Sequence, residues 1–344
     1  QRMIALYGDK DGIEDVKVFE NYSRGVATGR DAWAYNPGRS ALAANMQRMI
    51  ALYGDELARF DAAHSELDRK ERATVIDNYV DHDAKRISWT RALKERAVKG
   101  HLVQYDALRI VPALYRPFAP QNLYFDRVLN EMVYQIPRLF GDGRQPNRVI
   151  MVKQRWNGTG QLSLMTDRIP DLQSDGGSQC FPLYLYDEVA ARQAGTGHQG
   201  EMFASEAGGA IPRRDGISDA AIERFRAAYG DPAIGKEELF YYIYGLLHSE
   251  EYRAAFADNL AKELPRIPVV SDAADFHAFA RAGRELADLH VGFDTVEPWP
   301  VTIAQGDLRL ASIDDPVSYY RVEKMRFGGK GREKDRTTVL YNAR

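Results

Sequence analysis

The chain has one cysteine, Cys180, among its 344 residues. A single thiol cannot form an internal disulfide, and it excludes a zinc site built from several cysteines. The sequence contains no run of about 18 uncharged apolar residues, which argues against a transmembrane helix. Its N-terminus also lacks the basic, apolar and small-residue order of a secretion signal. We therefore expect a protein of the cytoplasm that has no membrane among its partners.

Neither sign of charge dominates, because 46 basic residues stand against 49 acidic ones. The resulting net charge of −3 argues against a protein that binds nucleic acid through charge alone. Basic residues nevertheless cluster in Asp83–His101, the first basic segment, and in Arg321–Arg344, the second basic segment. An ordinary solvated surface is the commoner explanation for such segments, and a nucleic-acid contact is the rarer one.

Motifs that could carry catalysis are missing or incomplete. Gly230–Glu237 nearly matches a phosphate-binding loop, but a predicted helix precedes it and Glu237 stands where that loop has Ser or Thr. Asn36-Pro37-Gly38 lacks the second proline and the aromatic residue of an amino-methyltransferase loop. The zinc-deaminase and serine-hydrolase signatures do not occur either. We therefore predict no catalytic residue, no metal site and no bound cofactor in this chain.

Helix and strand signals occupy separate blocks of the sequence. Apolar residues at helical spacing predict helices at about 40–55, 66–79, 87–98, 218–229, 236–247, 249–264 and 272–289. Runs of β-branched and aromatic residues predict strands at 105–115, 148–153, 162–166, 181–186, 317–327 and 336–342. This order predicts an α+β fold with a helical N-terminal part, a central mixed or antiparallel β region, a helical block and C-terminal β strands.

One stretch of nine residues is repeated. Gln1–Asp9 recurs without change at Gln47–Asp55, and a single repeat does not make a solenoid. The second copy ends a well-patterned helix, whereas the first copy has no such context. We interpret the first copy as an assembly artefact or a recent duplication, and we assign it no function.

Several strings resemble the single-chain type ISP restriction–modification enzymes. Ser23–Asn36 reads SRGVATGRDAWAYN and is similar to a segment of that family. The longest similar string is Phe240–Ser249, which continues through Tyr252-Arg253 to Leu264–Pro268. Other similar strings follow in the family's order: Ile87–Arg91, Tyr115–Phe118, Leu123–Arg127, Cys180–Tyr184, Gly283–His290 and Val322–Phe327. The ordered set covers the chain from Val18 onward.

The resemblance implies a function. In that family, a nuclease, a helicase-like motor and an adenine methyltransferase precede a C-terminal specificity region that reads an asymmetric DNA site. This chain resembles the specificity region, so the implied partners are double-stranded DNA and the upstream nuclease, helicase-like and methyltransferase domains of the same polypeptide. The full-length relatives imply S-adenosylmethionine, ATP and Mg²⁺, and this segment implies no cofactor. The alternatives are a domain-coupling scaffold that reads no bases and an undetected enzyme acting on nucleic acid.

The resemblance also suggests how the chain is divided. Residues 1–17 are unmatched or artefactual, and residues 18–104 form a mainly helical connector to the methyltransferase. Residues 105–344 form the target recognition domain, with a helical insertion at 218–290. Because the last predicted strand runs into the C-terminus without a turn, we expect the domain to continue beyond it.

Candidate DNA contacts follow from the basic segments and the resemblance. The main DNA surface is expected in a Gly-rich connection between two predicted strands, at Lys330, Arg332, Lys334 and Arg336. Arg30 and Trp33 lie near the expected join to the methyltransferase, where they would face DNA beside a flipped adenine. Arg91, Arg116 and Arg127 are further candidates, since the planar fork of arginine suits phosphates and guanine edges. A structural ion pair is the alternative for each of them.

Overall fold

The computed structural model describes residues 3–6, 16–186, 212–302, 325–331 and 333–341. The chain forms two compact units, residues 1–295 and residues 296–344. Helices and strands occupy separate blocks, so the predicted α+β fold class is confirmed. The finer domain limits inferred from the sequence, at residues 17, 104 and 218–290, stay predictions.

Most helices of the first unit fall in two stretches of the sequence, residues 31–98 and residues 219–291. Those that the structure describes are α1 (Asp31–Ala34), α2 (Arg39–Ala63), α3 (Arg69–Tyr79), α4 (Arg91–Val98), α5 (Ile136–Phe140), α6 (Asp219–Tyr229), α7 (Lys236–His248), α8 (Glu250–Ala255), α9 (Ala257–Leu260) and α10 (Ala273–Val291). The side chains of Ser218, Ser249 and Asp272 cap α6, α8 and α10, because each accepts a hydrogen bond from a first-turn N–H. Among the described residues, no helix combines the length and apolar character needed to cross a membrane.

The strands of the first unit build two four-stranded sheets and two shorter pairings. They are β1 (Met3–Ala5), β2 (Ser23–Arg24), β3 (Tyr35–Asn36), β4 (Ile110–Arg116), β5 (Ala119–Tyr124), β6 (Val149–Val152), β7 (Ser163–Thr166), β8 (Ile169–Pro170), β9 (Gln179–Pro182), β10 (Tyr184–Tyr186), β11 (Arg213–Asp215) and β12 (Arg266–Pro268). One sheet has the order β2-β9-β6-β7 and is antiparallel. The other has the order β3-β5-β4-β8, with β4 and β8 parallel. In the second unit, β13 (Met325–Lys330) and β14 (Glu333–Tyr341) form an antiparallel hairpin.

Two predicted elements are divided in the structure. The helix predicted over 249–264 breaks at Phe256, whose φ of −116° and ψ of 19° lie outside the helical region and whose ring packs on the core. The strand predicted over 181–186 breaks at Leu183, whose N–H donates to the carbonyl of Arg148 over 2.8 Å. Before this residue, β9 pairs with β6, and after it, β10 pairs with β11. Tertiary packing therefore interrupts both runs, although their local sequence favours continuation.

Apolar side chains cover both faces of the sheet β2-β9-β6-β7. In β6, Ile150 and Val152 share a core with α6, α7 and α10, whereas Val149 and Met151 share a core with the second sheet. This alternation follows from the two-residue period of a strand. Since neither face meets water, β6 is apolar at every position. Cys180 of β9 lies between the two sheets, and burial raises the pKa of its thiol well above the usual range.

The repeated nonamer adopts two conformations. In the first copy, Met3–Ala5 is a strand paired with β12, and Ile4 and Leu6 are buried in the core that contains α7. In the second copy the same residue types are helical within α2, where Met49 and Tyr53 are buried. Residues 3–6 therefore have a defined place in the core, although the sequence alone gave the first copy no structural context.

Helices α7 and α10 approach each other through two glycines. A Cβ atom built on Gly283 would lie 2.0 Å from the carbonyl oxygen of Tyr241, and one built on Gly245 would lie 2.3 Å from that of Phe279. Both distances are far shorter than a van der Waals contact, so any side chain here would force the backbones apart.

We expect Gly283→Ala to lower the free energy of unfolding by about 1–3 kcal/mol, because the added methyl group overpacks this crossing. The measurement is urea denaturation followed by circular dichroism. Gly54→Ala in α2 is the matched control, since its Cβ would meet nothing within 4 Å. Ala favours a helix over Gly by roughly 0.5–1 kcal/mol, so the control should become more stable. Equal shifts in the two variants would contradict the proposed packing.

Candidate nucleic-acid interface

The described part of the second basic segment is the hairpin β13–β14. In the β13–β14 ladder, Lys330 lies opposite Glu333 and Lys334 lies opposite Gly329. Both lysines are exposed. The sequence placed the lysines in a connection between strands, but the ladder runs through it. Gly329 allows this, since its φ is +79° and a Cβ would lie 2.3 Å from the carbonyl oxygen of Glu333. Arg332 lies outside the described residues.

A bulge on β14 carries Arg336. The register jumps from Gly328–Asp335 to Phe327–Val339, so residues 336–338 have no partner across the ladder. Hydrogen bonds from the side chain and N–H of Thr337, and from Thr338, lower the pKa of Asp335 to about 2. The ionised Asp335 therefore fixes the bulge at neutral pH, and Arg336 is exposed on it.

Arg30 and Trp33 are buried instead of facing solvent. Arg30 is 3% exposed, and its guanidinium donates to the carbonyls of Thr28 and Ser88 and to the hydroxyl of Thr90. Burial lowers the pKa of Arg30 to about 10, so the group stays charged at neutral pH. Trp33 is 7% exposed and donates from Nε1 to the carbonyl of Ala84 over 3.3 Å. In this conformation both side chains hold the segment before α4 against α1.

The three further arginine candidates lie in different settings. Arg91 is 91% exposed in its side chain and forms an ion pair with Glu95 at 2.9 Å. Arg116 lies 3.9 Å from the ring centre of Tyr115 and donates to Asp171 over 3.0 Å. Arg127 is exposed beyond the end of β5. Arg91 and Arg116 thus have the ion pairs that the sequence left open, while their DNA contacts stay predictions.

Most cations of the first basic segment are used within the protein. Arg86 pairs with Asp81 and Lys94 pairs with Asp77. Arg96 donates to three backbone carbonyls between residues 128 and 131, which joins α4 to the chain after β5. These contacts favour the ordinary explanation of this segment, in which its charges solvate and brace helices.

Sequence reasoning missed a third cationic surface, at one end of the sheet β2-β9-β6-β7. We call it the sheet-end surface, and its members are Arg24, the β6–β7 loop (residues 153–161) and the β8–β9 loop (residues 171–178). Arg24 lies opposite Gln179, which lies opposite Val152, so all three strands end in one row. Lys153 and Gln161 both contact the carboxylate of Asp175, each over 3.3 Å, and thereby join the two loops.

Comparison with known proteins identifies the family. Residues 17–344 match the family model described as the Type ISP C-terminal specificity domain. The chain belongs to the Type ISP C-terminal specificity domain family. No match was found among curated proteins.

Solved structures similar to this Type ISP specificity domain are complexes with DNA. The cryo-electron microscopy structure of a DrdV–DNA complex is 29% identical with a TM-score of 0.70, over 94% of this chain and 29% of that chain. A nuclease-deletion mutant of the Type ISP restriction–modification enzyme LlaGI, in complex with a DNA substrate mimic, is 29% identical with a TM-score of 0.70. This match covers 99% of this chain and 27% of that chain. The ATP-dependent Type ISP restriction–modification enzyme LlaBIII bound to DNA is 27% identical with a TM-score of 0.69. This match covers 99% of this chain and 19% of that chain. The chain therefore spans less than a third of each of these proteins.

Two groups of exposed cations in the described part of the specificity domain are candidate DNA contacts. One lies on the hairpin β13–β14, at Lys330, Lys334 and Arg336, and the other lies on the sheet-end surface, at Arg24 and Arg155. The second surface was missed because Arg24 and Arg155 are far apart in the sequence and form no charge run. A usable signal was present in residues 153–161, where glycine, amide and basic residues surround one tryptophan.

We expect Arg30→Met to lower the free energy of unfolding by about 1–3 kcal/mol, since buried carbonyls would lose their donor. DNA affinity per folded molecule should stay the same. Arg281→Met is the matched control, because this arginine is exposed on α10 and a surface change should stay within about 0.5 kcal/mol. Urea denaturation and duplex binding measure the two effects. Unchanged stability with weaker DNA binding would favour the DNA contact predicted for Arg30.

Proposed function

We propose that this chain recognises a specific sequence of double-stranded DNA as the specificity region of a Type ISP restriction–modification enzyme. The observation that carries the proposal is its likeness, at 27–29% identity, to three proteins whose structures contain DNA or a DNA mimic. The two exposed cationic surfaces support it, because phosphate contacts supply much of the affinity of such proteins. Base edges in the grooves then supply the specificity.

The proposal places the chemistry in other domains of the same polypeptide. The chain would position DNA for adenine methylation and for motor-driven cleavage by the upstream methyltransferase, helicase-like and nuclease domains. S-adenosylmethionine, ATP and Mg²⁺ would bind those domains, and the chain itself would supply no catalytic residue. The cytoplasm, where cellular DNA is accessible, is the proposed location.

In this proposal, the hairpin lysines and Arg336 would bind phosphates. Lysine acts as a compact point charge and suits a phosphate, whereas the planar fork of arginine also suits a base edge. The exposed positions of Lys330 and Lys334 favour such contacts, since neither charge would have to leave a buried ion pair.

The direct test is to bind this chain to a random pool of DNA duplexes and to sequence the bound fraction. We expect one asymmetric motif to be enriched. Salt-sensitive binding without enrichment would instead indicate a phosphate clamp whose reading needs the methyltransferase. No binding by a demonstrably folded chain would overturn the proposal and favour the domain-coupling scaffold.

The hairpin contribution can be measured separately. We expect the combined change of Lys330, Lys334 and Arg336 to Ala to reduce the slope of log K against log salt by roughly one to three, because each lost phosphate contact removes about 0.9. Changing Lys70, Lys262 and Arg281 to Ala is the matched control, since these exposed cations lie outside the hairpin and their loss alters the net charge equally. The same loss of slope in both variants would remove the hairpin from the DNA interface.

A further inference from the structure

The β6–β7 loop has a defined shape. The N–H of Lys153 donates to the carbonyl of Leu162 over 3.0 Å and closes a loop of residues 154–161. Gly158 and Gly160 have φ values of +82° and +66°, which other residues rarely adopt. The side chain of Asn157 accepts from the N–H and the hydroxyl of Thr159, forming a local turn. These hydrogen bonds and glycine conformations favour one defined conformation of the loop.

Trp156 anchors the middle of this loop. It is 8% exposed and packs in the core that contains α7. Its indole N–H donates to the carbonyls of Thr159 and Gly160, each over 3.1 Å, and its backbone N–H donates to Leu260 over 2.8 Å. The buried ring is bonded to the loop, and the backbone N–H of the same residue is bonded to the neighbouring α9, so the residues beside Trp156 are fixed. Those neighbours are therefore presented from a rigid base, as a specific contact requires.

Arg155 precedes this anchor and is exposed. Within the described part of the chain, neither Arg155 nor Arg24 has an ion pair or a side-chain hydrogen bond. The nearby carboxylate of Asp175 is already in contact with Lys153 and Gln161. Both arginine guanidinium groups are thus open to a ligand, and binding would break no existing pair.

The spacing of these groups fits duplex DNA. Arg24 and Val152, the residue from which the β6–β7 loop departs, lie two strands apart, which is about 10 Å at the usual strand spacing. The major groove of B-DNA is about 12 Å wide and admits a two-stranded β element. If the β6–β7 loop enters the major groove, Arg24 would therefore lie near a phosphate at the edge of that groove.

We propose that Arg155 reads a guanine in the major groove and that Trp156 is the positioning residue for it. Guanine presents O6 and N7 as two adjacent acceptors, and the arginine fork donates to both. This inference rests on the proposed function, and it names the element that supplies the base specificity.

The experiment repeats the random-pool selection with Arg155→Ala, Arg155→Lys and the matched control Arg281→Ala, an exposed arginine on α10. We expect both Arg155 variants to lose preference for guanine at one position of the motif by roughly tenfold or more. Arg155→Lys should keep the salt slope, because it keeps the charge and loses only the planar fork. Arg281→Ala should keep the complete motif.

A fourth variant, Trp156→Phe, keeps a ring in the core and removes the indole N–H. We expect it to weaken the preference at the same position as the Arg155 variants while the rest of the motif persists, which a purely structural role would not produce. An unchanged motif in Arg155→Ala, or a uniform loss of affinity for all sequences, would overturn the assignment of Arg155. If the unaltered chain binds DNA without enriching a motif, the assignment of Arg155 as a base reader is overturned. If the folded chain binds no DNA, the proposed function fails as well.

Discussion

Burial of the sheet β2-β9-β6-β7 on both faces is the constraint on which the rest of the first unit depends. Helices α6, α7 and α10 cover one face and the second sheet covers the other, so the strands cannot shift by one residue without exchanging two complete sets of side chains. The strand ends are therefore fixed in space. Loops that begin at these strand ends start from fixed positions, which helps the short polar β6–β7 loop to keep a defined shape at the surface.

The close crossing of α7 and α10 adds to this constraint. Gly245 and Gly283 let the two backbones meet, and the core between the helices and the sheet is filled by large aromatic rings such as Phe240 and Phe276. The aromatic string Phe240–Tyr244 lies in α7, and its rings are buried in this core, so they do not line a groove at the surface.

Whether a basic side chain is available to DNA depends on the contacts that it already makes within the protein. The first basic segment is prominent in the sequence, yet Arg86, Lys94 and Arg96 are all bonded within the fold. Arg24 and Arg155 lie outside both basic segments, yet both are exposed and available. An arginine that already has a buried or paired guanidinium loses those contacts when it binds DNA, so local charge density is a weak guide to an interface.

The sequence by itself determined the α+β class, the order of the blocks, the family, and the starts of α6, α8 and α10 through their capping side chains. These are local properties, because a cap or an apolar period acts within a few residues. Only the tertiary structure decided that QRMIALYGD contributes a strand at Met3–Ala5 and lies within a helix at its second occurrence, since strand pairing and burial outweigh weak local preferences. Only the tertiary structure buried Arg30 and brought Arg24 to the same sheet end as Arg155, because contacts between distant residues are set by packing and not by local sequence.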